Sequence, residues 1–98
     1  MMADNSQGIE EIAKKLSNLS KLAIEEYEPL VNKIIISKVK DERHIEKILD
    51  GLLDFCFDEE ILYLYKKLCR YYYELNPHAT VDYINYYRKQ YETEIEDK

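Results

Sequence analysis

The sequence predicts a small all-α bundle of four to five amphipathic helices with short connections. Three observations carry that reading. Only 2 Gly and 2 Pro occur in 98 residues, too few turn formers for a sandwich or barrel of many short strands. Apolar residues recur every three or four positions along most of the chain. Hydrophobic residues make up 46 %, enough to fold without metal or disulfide staples. A single helical domain is expected over residues 9–92, with a flexible N-terminus at 1–8 and an acidic, fraying tail at 93–98.

The first helix takes its beat from Ile9, Ile12, Ala13, Leu16, Leu19, Ala23 and Tyr27, with Asn5 or Ser6 available as cap. Pro29 interrupts this pattern, and the preceding Glu28 is biased away from helical angles. The beat nevertheless continues in phase through Leu30, Val31, Ile34 and Ile35, and Pro29 falls opposite the apolar stripe. Both a kinked helix and a break with Pro29 opening a second helix are sterically sound. The break is the favoured expectation. An unbroken helix from Ile9 to Lys38 would run roughly 45 Å, long beside a radius of gyration near ~13 Å for a chain this size. The β-branched run from Val31 to Val39 also reads as a strand, but no second strand is at hand to pair with it.

Asp41 is placed to cap the next helix, which carries Ile45, Ile48, Leu49, Leu52, Leu53 and Cys56 on one side. Gly51 inside it implies either a close helix approach or a local weakness. Asp58 followed by Glu59 and Glu60 is the clearest helix start, with Phe57 and Leu62 spaced as a staple. That helix runs to about Leu75, turning Ile61, Leu64, Tyr65, Leu68, Tyr72 and Leu75 inward. Asn76-Pro77 breaks the chain, and Asn76 or Thr80 caps a last helix with Val81, Ile84, Tyr87, Tyr91 and Ile95 on one face.

Glu74-Leu75-Asn76-Pro77, followed by Tyr83 and Tyr87, resembles the helix junction of a tetratricopeptide repeat. The resemblance covers under a third of the chain. Tyr65 and Tyr72 are bulky where that family places small residues, and no second copy follows at a 34-residue period. It implies a shared way of ending a helix and no binding residues. Small helical bacteriocin-immunity proteins are similar in size and architecture, without a shared motif.

The formal charge of −6 argues against nucleic acid as a partner, since such binding draws on neutralised phosphates. No apolar run reaches the ~20 residues of a membrane span, and the first residues lack the pattern of a secretory signal. Cytoplasmic location and no membrane insertion are the expectations. Cys56 and Cys69 fit free thiols, a disulfide remaining open if two helices meet there. Their spacing suits no zinc site, neither His44 nor His78 has a neighbouring nucleophile, and no Gly-rich phosphate loop exists. A noncatalytic protein without cofactor or metal follows.

Three surface features remain. Glu42, Glu46, Asp50 and Asp54 form an acidic row at four-residue spacing, read as a solvated face or as a docking stripe for a basic partner. Tyr63, Lys66, Lys67, Arg70 and Tyr73 form a basic, aromatic face. Tyrosine is in surplus, 10 of 98 residues, and Tyr71–Tyr73, Tyr83 and Tyr86 do not all fit inward faces. The expected function is binding of a protein partner, or self-association, through Tyr63, Lys66, Lys67, Arg70, Tyr73, Tyr83, Tyr86 and Arg88. The alternatives are a small acidic inhibitor or immunity-type protein of a mobile element docking through the acidic row, and a regulator contacting nucleic acid through the basic face.

Overall fold

The computed structural model describes residues 2–92. Among them are four helices, α1 (Met2–Ile36), α2 (Glu42–Leu53), α3 (Glu59–Leu75) and α4 (Pro77–Tyr91), and no strand. The expected break at Pro29 does not occur: α1 passes through it. Glu25 and Pro29 are both exposed, so the carbonyl that loses its bond to the proline faces solvent and the ring meets no neighbouring helix. The β-branched segment is helical as far as Ile36, and Val31 and Ile34 are fully buried against the body. Residues 2–8 fall within α1, while the expected tail at 93–98 lies outside the described residues.

Length explains how α1 sits. Its 35 residues span ~52 Å, against ~26 Å for the 17 residues of α3. The other helices therefore cover only its C-terminal half, through Ser20, Ala23, Tyr27, Leu30, Val31 and Ile34. The N-terminal half overhangs. Ile9, Ile12, Leu16 and Leu19, expected to pack inward, are exposed because no element reaches them. The radius of gyration is accordingly 16.1 Å and the longest extent 55 Å.

α1 ends in a Schellman turn. Val39 N–H donates to Ile34 O (3.0 Å) and Lys38 N–H to Ile35 O (3.3 Å). Lys38 takes the left-handed conformation, φ 54°, that this turn demands and that glycine meets without strain. Asp41 caps α2 as expected, accepting from His44 N–H. Asp58 caps α3 through bonds from the N–H groups of Glu60 (2.8 Å) and Ile61 (3.2 Å).

Asn76 is the whole joint between α3 and α4. Its N–H closes α3 on Tyr72 O (2.8 Å), its Oδ1 caps α4 by accepting from Ala79 N–H (3.0 Å), and Pro77 follows at the first helical position. α3 is the centre of the bundle and touches each of the other helices. Its Ile61, Leu68 and Tyr72 meet Ile45, Leu49 and Leu52 of α2 in the core.

Gly51 marks a close approach, the first of the two readings its place in the helix allowed. A Cβ built there would overlap the Tyr27 hydroxyl and lie 2.7 Å from its ring. The Tyr27 ring thus lies over α2 where a side chain is missing. Gly51→Ala has to push the end of the Tyr27 side chain aside, so it is expected to gain less than the ~1 kcal/mol by which alanine favours a helix. In a Tyr27→Ala background the same change should stabilise by about that amount. Urea midpoints of the four proteins read the difference; an equal gain in both backgrounds would refute it.

The inward face of α4 differs from the expected one. Thr80 and Tyr83 are buried, whereas Val81 and Ile84 are partly open. Tyr83 is only 7 % exposed, which removes it from the outer surface to which it was assigned. The cause is its hydroxyl, which finds acceptors on α2 and so lets the ring go inside.

Candidate functional site: a basic-rimmed furrow beside a tyrosine–carboxylate seam

The acidic row of α2 and the surplus tyrosines answer one another. Tyr72 donates to Glu46 Oε2 (2.5 Å) and more weakly to Glu42 Oε1 (3.4 Å). Asn76 Nδ2 also donates to Glu42 Oε1 (2.9 Å), and Tyr83 donates to Asp50 Oδ1 (2.8 Å). Tyr91 reaches the carbonyl of Leu53 (2.7 Å) and Tyr65 that of Tyr83 (2.6 Å). Four-residue spacing places successive carboxylates one turn apart along α2; Tyr72 and Tyr83 present hydroxyls to Glu46 and Asp50, and Glu42 takes the Asn76 amide together with the weaker Tyr72 contact. Burial, aided by the bonded carboxylates, pushes the Tyr72 and Tyr83 hydroxyls above their ordinary range. Both stay protonated donors at neutral pH. The seam fixes α4 onto α2.

The opposite side of α3 and α4 is open. A furrow of about 590 Å³ runs between them. Tyr65, Cys69 and Thr80 form its buried floor, with Leu62, Ile84 and Tyr87 as apolar walls. The Tyr87 ring stacks on Tyr91 with centroids 5.2 Å apart and lies 6.2 Å from that of Tyr65. Lys66, Arg70, Tyr73 and Glu74 line the α3 side, and Arg88 and Glu92 the α4 side. Arg88 Nε lies 3.7 Å from Glu92 Oε1. Among the described residues, neither Lys66 nor Arg70 is in an ion pair.

Four of the eight assigned partner-binding residues therefore meet in one place: Lys66, Arg70, Tyr73 and Arg88. The others do not. Tyr63 lines a second hollow, toward α1, beside Glu28, Glu59 and Glu60. Lys67 follows it, donating to Asn32 Oδ1 (2.9 Å) with its ammonium 5.9 Å from the Tyr63 ring centroid. Tyr86 is half exposed, edge-on to Tyr83 at 5.3 Å and outside the furrow. Tyr83 is in the core. The furrow's floor was missed, because a residue that walls an open groove has the same helical spacing as one that is covered.

Cys56 and Cys69 are free, buried thiols. Burial pushes both up to about 12, so neither is a thiolate nucleophile at neutral pH. Among the described residues, no cluster of His, Cys, Asp or Glu is arranged to hold a metal ion. No described helix is long and apolar enough to cross a membrane. No family model, curated protein or solved structure matches the chain.

Proposed function

We propose that this chain is a noncatalytic interaction module whose α3–α4 furrow receives a helix of a partner protein. The partner helix has aliphatic anchors on one face and acidic residues beside them. The observation that carries this reading is an open, apolar floor bordered by three cations, Lys66, Arg70 and Arg88, against two carboxylates, Glu74 and Glu92, on a molecule whose net charge is −6. Helix-in-groove binding uses anchors spaced at three or four residues. Charge at the rim selects among them. The furrow's apolar floor and walls favour this over a phosphate backbone, which needs a wider positive surface. The acidic-row alternative loses support, since Glu42, Glu46 and Asp50 already accept hydrogen bonds from α3, α4 and the joint between them.

The test uses two designed helical peptides with the same leucine stripe, one flanked by Glu and one by Lys, titrated into the labelled protein and followed by NMR. The Glu-flanked peptide should bind at least about tenfold tighter, roughly 1.4 kcal/mol, and shift Leu62, Cys69 and Ile84. Tyr73→Ala with Arg70→Ala should remove that binding and leave the helical circular dichroism unchanged. Arg70→Glu should reverse the preference. Equal binding of both peptides, or shifts that map away from the furrow, would refute the proposal.

A further inference from the structure

The furrow differs from one end to the other. α3 and α4 run antiparallel, joined by Asn76 alone. The Tyr65 hydroxyl donates to Tyr83 O (2.6 Å), and its ring lies 6.2 Å from that of Tyr87. That register sets Leu62 and Lys66 across from Arg88 and Glu92 at the open end, and Tyr73 and Glu74 across from Thr80 at the joint. From Leu62 to Glu74 the furrow spans ~18 Å, somewhat over three helical turns. Lys66, Arg70 and Arg88 border its open end and middle, where Glu92 is the single lining carboxylate and lies 3.7 Å from Arg88. Glu74 is the one charged residue lining the joint end. It is exposed, and although it stands one turn beyond Arg70 it is in no ion pair among the described residues.

We infer that the furrow reads the order of charges along the helix it binds, and that its partner helix is acidic in its first turns, basic in its last, and lies parallel to α3. This rests on the helix-in-groove reading above and adds a direction to it. Each exposed rim pair is weak and screened by salt. Reversing the helix, however, turns every attractive pair into a repulsive one, so the two directions differ by about twice the sum of the pairs. Two sequences satisfy the furrow: an acid-first helix with its N-terminus at the open end, and an acid-last helix entering the other way. The helix macrodipole decides between them. Acid in the first turn and base in the last stabilise a helix, and the opposite order frays it. The acid-first helix is therefore more fully formed before it docks and loses less freedom on binding. Its N-terminal half charge faces the cations, but the full charges of its acidic side chains outweigh it.

Two peptides of identical composition test this, both with blocked ends and a leucine stripe that reads alike from either end. One carries Glu in its first turns and Lys in its last; the other has the order reversed. Each bears a nitroxide at its first residue and is titrated into the full chain, with paramagnetic signal loss followed by NMR. The acid-first label should quench Leu62 and Arg88 more than Tyr73 and Thr80, and the acid-last label should do the opposite. The acid-first peptide should bind about threefold tighter, through its better-formed helix. Replacing its lysines by glutamine should weaken binding about threefold, and should have no effect on the Glu74→Gln protein, whose fold the exposed position leaves intact. Labels that settle at the same end for both peptides, or that quench both ends alike, overturn the inference. So does a tighter acid-last peptide, or a lysine effect that persists without Glu74. Those outcomes leave the helix-in-groove reading standing, since both peptides still occupy the furrow; a failure of both to bind there removes the two proposals together.

Discussion

Tyr72→Ala is expected to cost ~3–5 kcal/mol, and Tyr72→Phe ~1.5–3 kcal/mol. Tyr72 is the largest side chain that is fully buried. Truncation to alanine empties the volume of a ring at the meeting of α2 and α3, and packed helices close such a void only in part. A domain of this size has ~5–15 kcal/mol in all, so the alanine variant should stand near its unfolding threshold. The phenylalanine variant isolates the hydroxyl. Its bond to Glu46 is short, 2.5 Å, as expected for a hydroxyl donating to a carboxylate.

A double-mutant cycle of Tyr72→Phe with Glu46→Gln then separates the bond from general packing. Coupling of about 1 kcal/mol or more is expected for two groups in direct contact. Coupling below ~0.3 kcal/mol would mean that the carboxylate loses nothing when the hydroxyl goes. Urea unfolding of the four proteins gives the answer, with equal m-values as the check that the same transition is compared.

What was legible in the sequence was local. Asp41, Asp58 and Asn76-Pro77 mark helix starts because a cap is a bond between a side chain and backbone two or three residues away. The continuity of α1 through Pro29 was half legible. The phase of the stripe survives the proline, but whether the freed carbonyl faces water depends on how the whole helix lies. The overhang was not legible at all. Periodicity says which face of a helix is apolar, and nothing about whether another element is long enough to cover it. Tyr83 illustrates a third limit. Its hydropathy and position suggested an outer ring, while its burial depends on Asp50, an acceptor 33 residues earlier. The acidic row, read alone, looked like a solvated or docking face for the same reason. The site was legible by its charged rim, Lys66, Arg70 and Arg88, and hidden by its floor.

The seam also sets how the protein should fail in alkali. Burial raises the hydroxyls of Tyr65, Tyr72 and Tyr83, and pushes the thiols of Cys56 and Cys69 up to about 12. In each case the folded state favours the protonated form. The unfolded chain loses these protons at ordinary values, ~8.5 for cysteine and ~10 for tyrosine. Below those values both states keep their protons and these groups cause no pH dependence. Above them the unfolded state holds fewer protons, so stability falls as pH rises until the folded groups ionise too. Each group contributes at most ~1.4 kcal/mol per pH unit, and three tyrosines acting together approach ~4 kcal/mol per unit. That slope exhausts a stability of ~5–15 kcal/mol within a few pH units above 10. The tyrosinate absorbance of the buried rings should therefore rise together with the loss of helical circular dichroism, in one steep step at alkaline pH. Tyr72→Phe with Tyr83→Phe, compared at matched initial stability, should make the step shallower. Tyrosinate absorbance that reaches its full value while the helical signal persists would show that these hydroxyls ionise without unfolding, and that the seam does not hold α2, α3 and α4 together.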